Sequence, residues 1–298
     1  MNCPHCGATI PDNSDFCTFC GVAISQEFTL PVSSTGHKLQ FGKLVLDTFG
    51  FYLRYPMVFL VVGLVICGIT GIFELFAAMT KDSPLTHVFS ILGGLALCYT
   101  SVVAIRQSLY TVRGNPGIQG DLLFPPFIMS LRMLGLFLLY LCVVVVIGIS
   151  LGVLIAAAAI AGGEEAVMVV VGVILIPLGM ISLWIIVRFY LNMWYIVDAN
   201  RGIIDSIVEA WRVSSGNALK LLSSFIVFFT PVLVCAFVCA FVCGYFFEVD
   251  IESVNWVIIC HVVLIPFIAL PWLGGSLAYL QLTGQSHCLE WNIESETV

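Results

Sequence analysis

Cys3-Pro-His-Cys6-Gly and Cys17-Thr-Phe-Cys20-Gly place four thiols in two Cys-x2-Cys pairs with ten residues between them. A structural zinc ion takes four ligands at tetrahedral corners, and four thiolates satisfy it with no open position. Cys3, Cys6, Cys17 and Cys20 therefore read as the ligands of a structural Zn2+, with disulfide pairing as the alternative. Gly7 and Gly21 directly follow the second cysteine of each pair. Glycine there lets the backbone turn with positive φ and aim amides at the sulfurs. Pro4 stiffens the first knuckle, Phe16 and Phe19 are placed to cover the metal, and His5 reads as a surface residue. A closed four-thiolate site holds no substrate water, so this zinc is not expected to act as a Lewis acid. From Met1 to His37 there is no Lys or Arg, while Asp12, Asp15 and Glu27 are acidic. Nucleic-acid binding needs cations to neutralise phosphates, and it is not expected here.

The pattern over residues 1–21 resembles the short zinc ribbons found at the N-termini of many bacterial membrane proteins. The rest of the chain has the composition of a membrane protein: 60% hydrophobic and 10% charged residues, with a mean hydropathy of +1.07. The opening residues are polar, so no cleavable signal peptide is read and the first span is expected to direct insertion. Residues 22–40, with Pro31-Val-Ser-Ser-Thr-Gly36, read as a flexible linker. Residues 41–282 read as a membrane domain, followed by a tail at 283–298. Six apolar runs, at about 56–79, 88–110, 133–160, 166–197, 218–247 and 255–282, are long enough to cross a hydrocarbon core of about 30 Å. The expected fold is all-α: six transmembrane helices with cytosolic interfacial helices, plus the small N-terminal zinc ribbon.

Charge sets the orientation. With the N-terminus in the cytosol, Lys38, Lys43, Arg54, Arg106, Arg113, Arg132, Arg188, Arg201, Arg212 and Lys220 lie on the cytosolic side, and only Lys81 lies outside. The outer loops carry Asp82, Glu164, Glu165, Glu248, Asp250 and Glu252. The expected location is a bacterial cytoplasmic membrane with both termini in the cytosol, a reducing compartment in which thiolates persist. Eight further cysteines lie beyond the ribbon. Cys235, Cys239 and Cys243 share one helical face and read as packing residues.

A unit of cytosolic amphipathic segment plus helical hairpin is used three times, aligning Phe49, Phe127 and Trp211 at offsets of 78 and 84 residues. In the third unit Ile203, Ile204, Ile207, Val208 and Trp211 share one face, opposite Asp205, Glu209 and Arg212. That helix either lies in the cytosolic interface or packs on the bundle. Arg188-Phe-Tyr-Leu-Asn-Met-Trp-Tyr-Ile-Val-Asp198, followed by Ile204-Asp-Ser-Ile-Val-Glu-Ala-Trp-Arg-Val-Ser-Ser-Gly216, is similar to the pattern joining spans four and five in a group of six-span bacterial membrane families. That group includes uncharacterised inner-membrane proteins and the membrane domain attached to some glycerophosphoryl diester phosphodiesterases. The resemblance covers roughly residues 40–282 and implies architecture rather than activity; no phosphodiesterase domain is present.

Ionisable groups inside a membrane are costly and often functional. Glu74 reads as an interfacial carboxylate near the outer end of span one, and His261 as a packing histidine in span six. Arg188 is expected to pair with Asp198 or a helix carbonyl, or to bind a lipid phosphate. Gly148-x3-Gly152, extended by Ala156, reads as a close-packing face, either inside the bundle or between protomers. Paired carboxylates, a Ser-His-Asp set, a histidine-rich cluster and a phosphate-binding glycine loop are all missing from the sequence. No enzyme is expected. The expected partners are the lipid bilayer and, through the ribbon, a cytosolic protein or a second copy of the chain. Transport or lipid handling by the bundle is the alternative.

Overall fold

The computed structural model describes residues 37–81, 83–115, 117–170, 173, 176–246 and 254–285. The chain divides into two compact units, Met1–Gly36 and His37–Val298. Cys3, Cys6, Cys17 and Cys20 lie outside the described residues, as do the stretch 22–36 of the linker and the tail from 286.

In the second unit all regular structure among the described residues is helical. The helices are α1 (Phe41–Arg54), α2 (Pro56–Met79), α3 (Leu85–Val112), α4 (Gly120–Leu123), α5 (Phe127–Val170), α6 (Ile176–Phe189), α7 (Asn192–Val197), α8 (Ile203–Val213), α9 (Ala218–Phe246), α10 (Val254–Leu264) and α11 (Leu270–Leu282). Pro56 opens α2 at a first-turn position, where a missing N–H costs nothing. Within the apolar helices, hydroxyls bond back to the preceding turn. Thr70 donates to the Ile66 carbonyl, Ser224 to Lys220 and Thr230 to Ile226. A buried hydroxyl without water must find such a partner.

Among the described residues four stretches are long and apolar enough to cross a membrane: Pro56–Met79, Leu85–Val112, Gly120–Val143 (α4 and the first part of α5) and Ala218–Cys243. The outer surface of these helices is apolar. Phe137, Leu138 and Val146 of α5 and Leu233, Phe237 and Phe241 of α9 are all exposed. An apolar surface of this extent belongs against lipid rather than water.

Two of the expected continuous spans are interrupted. α5 continues unbroken from Phe127 to Val170, through Glu164 and Glu165 that were expected in an outer loop; the run 166–197 breaks between α6 and α7, and the run 255–282 between α10 and α11. Pro266 lies in the second break, and Pro271 occupies the first turn of the helix that follows. Unwound backbone at membrane depth must have its carbonyls satisfied by protein. Tyr52 donates its hydroxyl to the Pro266 carbonyl, and Tyr190 donates to Pro271 at 2.7 Å. Gly63 of α2 faces the same break: a Cβ there would lie 2.0 Å from the Ile265 carbonyl oxygen. Glycine is the residue this contact admits.

α11 is the central helix, packed by α1, α3 and α9, and all of it except Trp272 is buried. Gly274 and Gly275 are the seats for the two largest neighbours. A Cβ on Gly274 would lie 2.3 Å from the Phe228 ring, and one on Gly275 would lie 2.2 Å from the Trp194 ring.

The final residues assigned to the linker are held in place. Asn217 accepts from the Leu39 amide at 3.0 Å and donates to the His37 carbonyl at 3.2 Å. Lys220 donates to the Leu39 carbonyl at 2.7 Å. Gly148 and Gly152 have no described atom within 4 Å of an added Cβ. The second repeat unit has only the one-turn α4, and Phe127 begins α5 itself.

Candidate functional site

Polar side chains gather at the end of the bundle where α3 stops and α7 turns into α8. Arg113, just past α3, grips Asp198 with two parallel bonds of 2.7 and 2.8 Å, and also donates to the Gln285 side chain at 3.0 Å. The pair is largely buried, with 25% and 13% of the two side chains exposed. A fork-on-carboxylate geometry is the strong form of this contact. Two residues on, Asn200 adopts a positive φ of 50°, which Asn tolerates better than most residues. Arg132 from α5 holds that turn, donating to the Asn200 carbonyl at 2.7 Å and to its side-chain oxygen at 2.6 Å. Two arginines thus tie α3 and α5 to the turn before α8.

Replacing Asp198 by alanine leaves a mostly buried guanidinium without its carboxylate. A loss of roughly 3 kcal/mol is expected, the lower end of the range for breaking a buried pair. Unfolding titrations of Asp198→Ala, Arg113→Ala and the double variant measure it. The double variant should lose clearly less than the two singles added together; strict additivity would mean that the pair contributes nothing.

Asp198 is therefore not the partner of Arg188. The Arg188 guanidinium lies between two indoles, 4.5 Å from the Trp184 ring centre and 4.3 Å from that of Trp211. The two rings meet edge to face, 5.4 Å apart and at 89°. Stacking on aromatic faces is a favoured use of arginine. It is not a substitute for hydrogen bonds, and the buried Nε of Arg188 has no acceptor among the described residues. Trp184 lies four residues before Arg188 on α6, on the same helical face. Trp211 is carried in by α8.

Of the two alternatives held for α8, packing on the bundle is the one observed. It packs on the bundle through Ser206 and Ala210, which are buried, and through the flanks of Ile203 and Ile207. Ile204, Val208 and Trp211 stay exposed as an apolar stripe beside the exposed Trp184. A cation between indoles at the edge of an apolar stripe has the chemistry of the membrane interface. In α1, burial raises the Asp47 carboxyl above the ordinary carboxylate range, partly offset by Lys43 one turn earlier.

Glu74 and His261 meet at the other end of α2. Glu74 Oε2 is 3.6 Å from His261 Nε2, and His261 Nδ1 is 2.8 Å from the Val257 carbonyl. Sequence reading treated the two separately; 187 positions apart, nothing local links them. No group of three or more His, Cys, Asp or Glu residues suited to a metal ion occurs among the described residues.

The family model for a zinc-ribbon domain matches residues 2–21. The match takes in all four expected ligands, and the donor set fits zinc: four thiols in two Cys-x2-Cys pairs. Neither the curated proteins nor the solved structures contain a match to the chain.

Proposed function

We propose that this protein is a six-span component of a bacterial cytoplasmic membrane whose zinc ribbon, in the cytosol, is a docking module for another protein. The observation that carries this reading is the zinc-ribbon match at residues 2–21 on a chain whose helices are apolar enough to span a membrane. A zinc ion closed by four thiolates rigidifies a small surface and leaves no coordination site for chemistry. That surface has no Lys or Arg with which to hold nucleic acid. In this reading the protein is not an enzyme, and the bundle fixes the ribbon to the membrane. Of its eleven basic residues, ten fall on the side assigned to the cytosol and only Lys81 on the other, which supports both termini being cytosolic. The broken helices α6–α7 and α10–α11 supply the fourth and sixth crossings.

A second reading, lipid handling, is favoured by Arg188. Its guanidinium has no carboxylate partner among the described residues, and it sits between two tryptophans at an exposed apolar stripe. A headgroup phosphate is the acceptor such a site suits.

One experiment separates the two. The full chain is purified in mild detergent as wild type, as Cys17→Ser/Cys20→Ser and as Arg188→Ala, and co-purifying proteins and lipids are identified by mass spectrometry. Docking predicts a protein partner present with wild type and Arg188→Ala and missing with the cysteine variant. Lipid handling predicts an anionic phospholipid retained by wild type and the cysteine variant and depleted in Arg188→Ala. An identical protein list from wild type and the cysteine variant would overturn the docking reading.

A further inference from the structure

Between α2, α3 and α10 lies a half-open cleft of about 560 Å³, close to the turn that joins α2 to α3. Its volume falls in the range of small-molecule sites. Ile66, Leu97, Leu264 and Ile268 make its walls apolar, and no Lys or Arg is among its described lining residues. Glycine makes the space. Gly94 lines the cleft, and a Cβ built on it meets no described atom within 4 Å. Gly71 does the opposite work: a Cβ there would lie 2.9 Å from the His261 ring. Bare backbone at position 71 lets the imidazole reach α2 and face Glu74.

One hydrogen bond sets the tautomer of His261. A backbone carbonyl only accepts, so the 2.8 Å contact with Val257 assigns a proton to His261 Nδ1. The second ring nitrogen, Nε2, faces Glu74 Oε2. With a proton on Nε2 the pair is imidazolium and carboxylate, net charge zero. Without it a neutral ring faces the carboxylate, and the cleft carries one negative charge. The carboxylate is the reachable member: 59% of the Glu74 side chain is exposed against 19% for His261. The other ionisable side chains among its described lining residues are the thiols of Cys67 of α2 and Cys260 of α10, so Glu74 is the one carboxylate of the described lining.

We infer that this cleft binds a lipophilic organic cation, whose positive charge lies beside the Glu74 carboxylate. The apolar walls receive the hydrocarbon part. Phe89, stacked on Phe76 with ring centres 5.2 Å apart, lines the cleft and adds an aromatic face for the charge. Anions are repelled by Glu74. A neutral lipid tail would fill the walls without regard to Glu74, and that is the competing occupant.

Tetraphenylphosphonium is the probe, because its charge is the same at every pH. Its binding to the full chain in phospholipid nanodiscs is measured by equilibrium dialysis at neutral pH. Wild type should bind it saturably, one per chain. Glu74→Gln should abolish saturable binding. Gly94→Leu should also abolish it by filling the cleft, with the carboxylate still in place. His261→Gln should keep the binding. All variants are checked for wild-type helicity and elution, and three substitutions on three helices keep the test open if one fails to fold. The inference is overturned by no saturable binding, or by binding that survives Glu74→Gln or Gly94→Leu. Lipid retained equally by wild type and Glu74→Gln, with no cation bound, would make the cleft a hydrocarbon groove.

Discussion

Trp194→Ala is expected to destabilise the helical bundle by about 3 kcal/mol, within the range for truncating a large buried aromatic. The indole is 0% exposed. Tyr190 packs on it with ring centres 4.9 Å apart, Trp272 lies 6.2 Å away, and the bare backbone of Gly275 forms its seat. Inside a membrane the apolar transfer term is weak, because lipid tails are as apolar as the protein interior. The loss therefore comes from packing and from the cavity left behind. It also comes from the Ser276 hydroxyl, which accepts from Trp194 Nε1 at 2.9 Å and would lose that partner. The reciprocal change tests the same contact from the other side. Gly275→Val must push the indole away, since even a Cβ falls 2.2 Å from the ring. Both variants are compared with wild type by reversible unfolding in mixed micelles, following helicity and tryptophan emission. A change below about 1 kcal/mol for Trp194→Ala would mean that the site collapses around the smaller residue, and that α7 is not held by this contact.

The long apolar helices were readable because their signal is local. A polar border and a proline mark the start of α2 at Pro56, and polarity returns after Met79, so expected and observed bounds coincide. The start of α9 follows from Gly216 and Asn217 in the same way. Apolarity alone does not say whether a crossing stays wound. In the run 255–282 the deciding residues lie elsewhere in the chain: Tyr52 and Gly63 accommodate the break at Pro266. The charged residues divide similarly. Sorting by side of the membrane put Arg113 on the cytosolic side without pairing it to Asp198, because 85 positions separate them. Arg188 was expected to pair with Asp198 or a helix carbonyl, or to bind a lipid phosphate, and the contacts it makes are with two indoles. One of these, Trp184, carried a usable signal at helical spacing of four; the other depends on how α8 folds back. The four expected zinc ligands needed no tertiary information, since both pairs and their spacing fall within twenty residues, and the family match covers the same stretch.

Zinc removal is expected to have the largest effect on the first unit. The purified chain should carry one zinc ion, and Cys17→Ser/Cys20→Ser should carry almost none, measured by metal analysis of protein prepared without added zinc. Structural zinc supplies roughly 10–16 kcal/mol of apparent binding free energy in small finger peptides, much of it serving as folding free energy. A unit of 36 residues has little apolar core to replace that. Chelation should therefore open residues 1–36 to proteolysis, while the helicity of the unit from His37 onward persists on its own buried core. The pH dependence has a definite sign. Zinc binds thiolate, so acidification returns protons to the sulfurs and releases the metal; occupancy should be full at neutral pH and fall as the pH drops. Disulfides would give the opposite pattern: no zinc at any pH, and no free thiol at these four positions until a reductant is added. One zinc per chain in wild type, with its loss in the double variant, decides for the metal.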